Sequence, residues 1–358
     1  MQVIEPGKIQ LMTTVTRSPV EPFTSVKDDA VTALLSLWLM AGLMIDGWAH
    51  TTRGGVESFF TPWHAAFYSG FLATAAWIVY LVWRPRRGFV QAGIPTGYRL
   101  ALTGLAIFGA GGVLDLVWHE TLGIEVDIDA LLSPTHMVLL VGAMLVVTTP
   151  LRSGWHRPTP RKSKWGWIAP PVISVGQGAL LAQFFVFYAS GWQGPAFREP
   201  WDPGESDFLV AFSVLSLTVS TLIFMVAFLL VLLRWSPPPG AFALILGIVG
   251  LGLQGVHGFE KPGELIAAVV AGFVLDGLAL RLQPAPQAPS RLQAWAFLAP
   301  IAVWGVHSLY LAIAGEFNWP PVLWGVLVLQ GLVGLTLATL AAPPTVPPQA
   351  LPSQVDWP

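Results

Sequence analysis

DFLVAFSVLSLTVSTLIFMVAFLLVLLR, residues 207–234, carries charged side chains only at its two ends. A helix rises about 1.5 Å per residue, so this stretch is long enough to cross the roughly 30 Å hydrocarbon core of a bilayer. Similar apolar stretches recur along the chain and predict an all-α polytopic membrane protein. The ten predicted spans are 29–50, 62–84, 98–119, 134–151, 167–190, 207–234, 240–257, 263–282, 293–315 and 320–342.

The composition of the whole chain agrees with this fold class. Of 358 residues, 54% are hydrophobic and only 11% are charged, against roughly a quarter charged in soluble domains. The formal net charge is −2, and the charged residues cluster between apolar stretches, which argues against nucleic-acid binding. The chain has no cysteine, so a metal ion would have to be held by histidine, carboxylate or methionine.

The spans predict one transmembrane domain, flanked by a polar tail at 1–27 and a proline-rich tail at 343–358. The first tail lacks the compact apolar core and the cleavage site of a signal peptide. Within the membrane domain (28–342) we distinguish a first half at 28–151 and a second half at 166–342.

The basic residues predict the orientation of the spans, because positive charges are retained in cytoplasmic loops. Placing both termini in the cytoplasm puts 15 of the 18 lysines and arginines on that side. The outer loops then keep only Arg53, Arg198 and Lys261. In a prokaryotic cell this orientation predicts a multi-pass protein of the inner (plasma) membrane whose outer loops face the periplasm.

A motif of one aspartate and two histidines occurs twice in the first half, 69 residues apart. It reads DGWAH at 46–50 with TPWH at 61–64, and DLVWH at 115–119 with SPTH at 133–136. The aspartate and the first histidine are four positions apart, so they lie on one helix face. Thr-Pro or Ser-Pro is typical of a helix N-terminus, which puts the second histidine in the first turn of the returning helix. Each hairpin should therefore bring three side chains to one depth: Asp46, His50 and His64, and Asp115, His119 and His136.

An ionised aspartate in an apolar helix costs at least about 2.5 to 3.5 kcal/mol, so each carboxylate needs a compensating partner. A divalent ion bound by two neutral imidazoles and one carboxylate would provide it, and imidazole suits copper, zinc, iron and nickel. The competing interpretation is that the aspartates pair with their histidines and loop amides without metal. Haem is disfavoured because the stretch between His50 and His64 reads as a loop, which places both histidines at one membrane face.

The Asp-x3-His motif with a later histidine, in two copies, resembles the metal-binding region of the C subunit of copper membrane monooxygenases, the particulate methane and ammonia monooxygenases. The resemblance is confined to residues 46–136. It implies copper bound by the two Asp/His/His groups, at separate sites or at a shared one. It also implies an oxidoreductase that works with other membrane subunits, and a homo-oligomer in the bilayer is the alternative assembly.

Four polar side chains of the second half are secondary candidates. The predicted orientation of the spans places His257 and His307 toward the outer face, and both follow Gly-Val, at 255–257 and at 305–307. With Glu264 they would form a further site or support the hairpins, or they would simply be hydrogen-bonded at helix ends. Asp276 lies well inside a span, where a carboxylate is a functional candidate such as a proton relay.

Three functions remain open at this point. The first is a membrane metalloprotein with a redox or metal-handling role. The second is a metal-ion or proton-coupled transporter, in which the aspartates and histidines form an outer binding site and Asp276 a deeper relay. The third is a structural or assembly membrane protein in which Asp–His pairs only fasten the hairpins.

Overall fold

The computed structural model describes residues 23–52, 60–84, 93–123, 127–158, 160–162, 164–192, 197–198 and 207–342. These residues form helices and turns, and no β-strand occurs among them. The tail predicted at 343–358, and most of the tail predicted at 1–27, lie outside the described residues.

The helices follow the apolar stretches of the sequence. Two short 3-10 turns accompany them, at Phe187–Ala189 and Pro321–Trp324. In chain order the helices are α1 (Val26–Thr52), α2 (Pro62–Trp83), α3 (Arg99–Leu122), α4 (Asp127–Leu132), α5 (Pro134–Val147), α6 (Thr149–His156), α7 (Trp165–Phe185), α8 (Asp207–Arg234), α9 (Ala241–Val256), α10 (Pro262–Leu282), α11 (Pro289–Ala314) and α12 (Gly325–Ala341).

Within the described residues, 8 helical segments are long and apolar enough to cross a membrane, with α5 and α6 forming one of them. The predicted spans 240–257 and 320–342 correspond to α9 and α12, which are apolar but have only 16 and 17 residues. The structure thus confirms the helical, multi-span character of the chain.

The first half is built from two helix pairs, α1 with α2 and α3 with α5. As the motif predicts, the second helix of each pair begins at a proline and is capped by the preceding hydroxyl. Thr61 accepts a hydrogen bond from the backbone N–H of His64 at 3.1 Å, and Ser133 accepts one from that of His136 at 3.3 Å. These caps fix both histidines in the first turn of their helices.

Equivalent glycines bring the two helices of each pair into close contact. A Cβ atom on Gly70 would lie 2.6 Å from the backbone nitrogen of Leu39, and one on Gly142 would lie 2.6 Å from that of Phe108. Leu39 and Phe108 are 69 residues apart, which is also the offset between the two Asp/His motifs. The duplication therefore includes the helix crossing as well as the polar motif.

Helix α7 joins the two halves. It packs against α1, α5, α6, α8 and α9. In its apolar stretch 78% of the residues are buried, against 28% in that of α2. Polar contacts fix it to α1: Ser36 Oγ donates to Gln177 Oε1 at 2.9 Å, and Gln177 Nε2 donates to the carbonyl of Ala33 at 2.8 Å. The two helix pairs of the first half thus rest on a buried central helix.

Candidate metal centre

The first predicted ligand group is assembled where α1 ends and α2 begins. Asp46 and His50 lie in the last two turns of α1, and His64 lies in the first turn of α2. Asp46 Oδ2 is 3.8 Å from His50 Nε2 and 3.5 Å from His64 Nε2. Asp46 and His64 are buried and His50 is half-buried. We call these three residues the first triad.

The second predicted ligand group is assembled in the same way between α3 and α5. Asp115 Oδ1 is 3.5 Å from His119 Nε2 and 3.2 Å from His136 Nε2. The same oxygen accepts a hydrogen bond from Thr135 Oγ1 at 2.8 Å. We call Asp115, His119 and His136 the second triad. In each triad one possible ligand atom per residue lies within 4.8 Å of the others, so the three side chains of a triad could hold one metal ion.

The carboxylates show that the triads are suited to a cation. Asp46 Oδ1 is buried and has no hydrogen-bond partner among the described residues. No lysine or arginine of the described chain forms an ion pair with Asp46 or Asp115. A buried carboxylate without a charge partner is costly, and a metal ion between the aspartate and its two imidazoles would remove that cost.

The two triads lie next to each other. The rings of His64 and His119, one from each triad, have centroids 6.2 Å apart. Asp46 is also within electrostatic range of Asp115, His119 and His136. The six side chains therefore form one polar cluster between the apolar helices.

Tyr68 lies beside this polar cluster, although the repeated Asp/His motif did not predict a role for it. Its ring centroid is 6.3 Å from that of His64, and its phenol interacts electrostatically with both Asp46 and Asp115. It lies one helical turn after His64 in α2, a spacing that would have placed it on the same face. The phenol of this half-buried tyrosine is thus close enough to influence both triads.

A cavity with a volume of about 350 Å³ opens beside the triads. Five of the six triad residues line it, all except His119. The remaining wall is apolar and aromatic, with contributions from α4, α7 and the turn that follows α7. The apolar lining includes Leu43, Phe67, Phe108, Ile128, Leu131, Leu139, Leu181, Phe184 and Phe187. A small molecule with apolar groups can therefore lie directly against the Asp/His side chains.

The secondary candidates of the second half are not brought together as a third group. In the described part of the chain, the two triads are the only groups of three histidines or carboxylates whose ligand atoms lie within 4.8 Å of one another. Glu264 instead accepts a hydrogen bond from Gln254 Nε2 at 2.6 Å and forms an ion pair with Arg198. His257 packs against Phe187, with ring centroids 5.4 Å apart and the rings tilted by 36°. His307 is fully buried among aromatic rings, with Trp192 the nearest at 5.3 Å.

Asp276 has a structural partner that its position in the sequence did not disclose. Its two carboxylate oxygens accept hydrogen bonds from the backbone N–H groups of Phe242 and Ala243, each at 3.3 Å. These amides belong to the first turn of α9, where the helix dipole also favours a negative charge. Asp276 therefore caps α9 from the neighbouring helix.

Comparison of the chain with protein-family models, with curated proteins and with solved structures finds no match. The two triads and the cavity beside them are therefore the features of the chain that indicate a function.

Proposed function

We propose that this protein is an integral membrane metalloprotein whose two Asp/His/His triads bind copper at the outer face of the plasma membrane. The main support is the surroundings of the two buried aspartates. In each triad a carboxylate oxygen lies 3.2 to 3.8 Å from two histidine Nε2 atoms, and no lysine or arginine of the described residues pairs with it. The outer, periplasm-like orientation is supported by the distribution of lysines and arginines.

The ligand set supports a metal that exchanges ligands or electrons. Two imidazoles and one carboxylate per ion leave a coordination position open, which is typical of catalytic rather than structural sites. Imidazole donors suit copper, zinc and iron; copper or iron would supply redox chemistry when bound. The cavity beside the triads would hold a small, partly apolar molecule, so we favour a redox role over storage of the metal.

The residues of the chain have separable tasks under this proposal. The six triad side chains hold the metal, while Thr135 fixes the orientation of the Asp115 carboxylate. Tyr68 can deliver a proton or a hydrogen bond to a ligand beside the triads, and the apolar wall of the cavity excludes water. An electron donor would come from a partner membrane subunit.

A transport function has less support. It would need a deeper relay, and the candidate for that role, Asp276, is engaged by the first amides of α9.

Elemental analysis of detergent-purified protein after reconstitution with copper, iron or zinc tests the proposal. We expect two equivalents of copper in the native protein and one each in His50→Ala and His119→Ala. His156→Ala is the matched control, because His156 is exposed at the opposite end of the membrane domain. An optical spectrum recorded on the same sample would reveal haem.

Protein that stays metal-free after reconstitution, while all three variants remain folded, would refute the metalloprotein proposal. That result would favour the structural interpretation, in which the histidines fasten the hairpins. Equal metal contents in the native protein and in both triad variants would show that the metal binds elsewhere.

A further inference from the structure

A compact group of basic residues lies at the membrane face opposite to the triads. Arg161, Lys162 and Lys164 belong to the connection between α6 and α7, and Arg234 ends α8. Ser236 holds this connection against the end of α8, because its backbone N–H donates to the carbonyl of Arg161 at 2.8 Å. We call Arg161, Lys162, Lys164 and Arg234 the basic corner.

The two arginines of the basic corner are held in place by backbone carbonyls. Arg161 donates to the carbonyls of Leu232 at 2.7 Å and Leu233 at 3.2 Å. Arg234 donates to the carbonyls of Trp155 at 2.9 Å and Arg157 at 2.8 Å. These bonds orient both guanidinium groups without neutralising their charge.

Two aspartates at this end of the membrane domain form ion pairs with arginines outside the basic corner. Asp28 pairs with Arg84, and Asp29 pairs with Arg157. Among the described residues no carboxylate forms an ion pair with Arg161, Lys162 or Lys164. Burial lowers the pKa of Arg161, and the nearby charge of Arg234 lowers it further. A bound anion would relieve the repulsion between these two arginines.

The surroundings of the basic corner are those of a membrane interface. Trp235 packs under Arg234, with the guanidinium 5.3 Å from the ring centroid, and Trp155 packs against Trp235 at 5.9 Å. Trp235 is itself fully buried, so it supports the guanidinium of Arg234 from inside the protein. On α8, Val226 and Leu222 lie eight and twelve residues before Arg234, follow one ridge of the helix, and are 49% and 40% exposed. An acyl chain can lie along this ridge below the basic corner.

We propose that the basic corner binds the phosphate headgroup of an anionic membrane lipid whose acyl chains lie along α8. The guanidinium N–H groups that remain beside the carbonyl contacts can donate to phosphate oxygens, and the two lysines add point charges. Basic pockets between transmembrane helices are known to bind anionic headgroups in this way. The inference is independent of the metal sites.

Binding of phosphatidylglycerol to the delipidated full-length protein in detergent tests the proposal, with phosphatidylcholine as the zwitterionic reference of zero net charge. Native mass spectrometry counts bound lipid, and thermal unfolding reports stabilisation. The informative variant is Lys162→Gln/Lys164→Gln, because both lysines are exposed and their substitution spares the carbonyl contacts of the arginines. Arg281→Gln/Arg291→Gln removes the same charge from exposed positions at the same face and is the matched control.

We expect the lysine variant to bind phosphatidylglycerol roughly tenfold more weakly than the native protein. The control variant should bind as the native protein does, and phosphatidylcholine should bind equally to all three. Equal losses in the lysine and control variants would overturn the proposal, since they would indicate unspecific attraction of anionic lipid. Inorganic phosphate that stabilises the protein as much as the lipid would also overturn it, because the site would then be one for free anions.

Discussion

The α9–α10 pair of the second half repeats the framework of the two triad pairs with different polar residues. Gln254 follows Gly250 by four positions in α9. Glu264 follows Pro262 by two positions in α10, and Gln254 Nε2 donates to it at 2.6 Å. In the triad pairs the equivalent positions read Gly42 and Asp46 with Pro62 and His64, and Gly111 and Asp115 with Pro134 and His136.

The difference between these pairs lies in how the buried carboxylate is compensated. Glu264 has a cation from the same chain, since Arg198 forms an ion pair with it and also binds Glu316, with Nε 3.0 Å from Oε2. In the described chain no lysine or arginine pairs with Asp46 or Asp115, and the basic groups beside them are imidazoles. This type of helix pair therefore accommodates a buried carboxylate beside a cation of the chain, and at the triads the proposed metal ion would take the place of Arg198.

The largest expected effect is on the pair that carries its own cation. Arg198→Gln would leave the Glu264 carboxylate buried without a charge partner, which should reduce the free energy of unfolding by about 3 to 5 kcal/mol. Thermal and denaturant unfolding in detergent would measure it. The double variant Arg198→Gln/Glu264→Gln should recover much of the loss, and a double variant as unstable as the single one would contradict the charge explanation.

The next effect concerns the shared helix crossing. Gly70→Ala and Gly142→Ala each place a methyl group against backbone atoms that lie 2.6 Å from the new Cβ position, so each should cost about 1 to 3 kcal/mol. Gly277→Ala is the matched control, because a Cβ atom at this helical position meets nothing within 4 Å. If only one of the two variants loses stability, the crossings are not equivalent.

A smaller effect should separate the two triads. Thr135→Val removes the hydroxyl that orients Asp115 but keeps the shape of the side chain. We expect metal affinity at the second triad to fall by roughly 10- to 100-fold, while the first triad, where Trp63 occupies the equivalent position, keeps its affinity. Competitive titration with a chelator would resolve the two equivalents, and equal weakening of both would show that the sites are not independent.

The smallest effect is a pH dependence of the ion-pair network. Hydrogen bonds from Lys261 and Arg198 lower the pKa of Glu316 below its usual value of 4.5. The stabilisation is therefore present above that value and is lost as the pH falls through the lowered pKa of the folded protein. Because Glu316 is 34% exposed, we expect at most about 1 kcal/mol. Unfolding curves between pH 6 and about pH 3 should show a smaller decrease for Glu316→Gln than for the native protein.

The sequence predicted the spans and the triads because their signals are local. Apolar stretches in a bilayer must become helices, since no water satisfies their backbone. The four-residue spacing of Asp46 and His50, and the Thr-Pro ahead of His64, act within one or two helical turns. The glycines at 42 and 111, and at 70 and 142, occupy equivalent positions in the two copies. They could have predicted the close helix crossings from the sequence, but the Asp/His motif does not include them.

The remaining features depend on contacts between distant segments. The approach of His64 to His119 follows from how one helix pair packs on the other. Asp276 caps a helix that begins 35 residues before it. The ion pair between Glu264 and Arg198 joins residues 66 positions apart. No periodicity or spacing in the sequence specifies such packing.

The duplicated helix pairs also bear on how the protein is made. Each triad is contained in a short contiguous segment, residues 46–64 or residues 115–136, and depends on the caps and glycine crossing of its own hairpin. Contacts between residues close in sequence form early and rapidly, whereas the compensation of Glu264 needs a residue from a different connection. A ligand group can therefore be complete when its hairpin has entered the bilayer during synthesis, before the ribosome has delivered the second half.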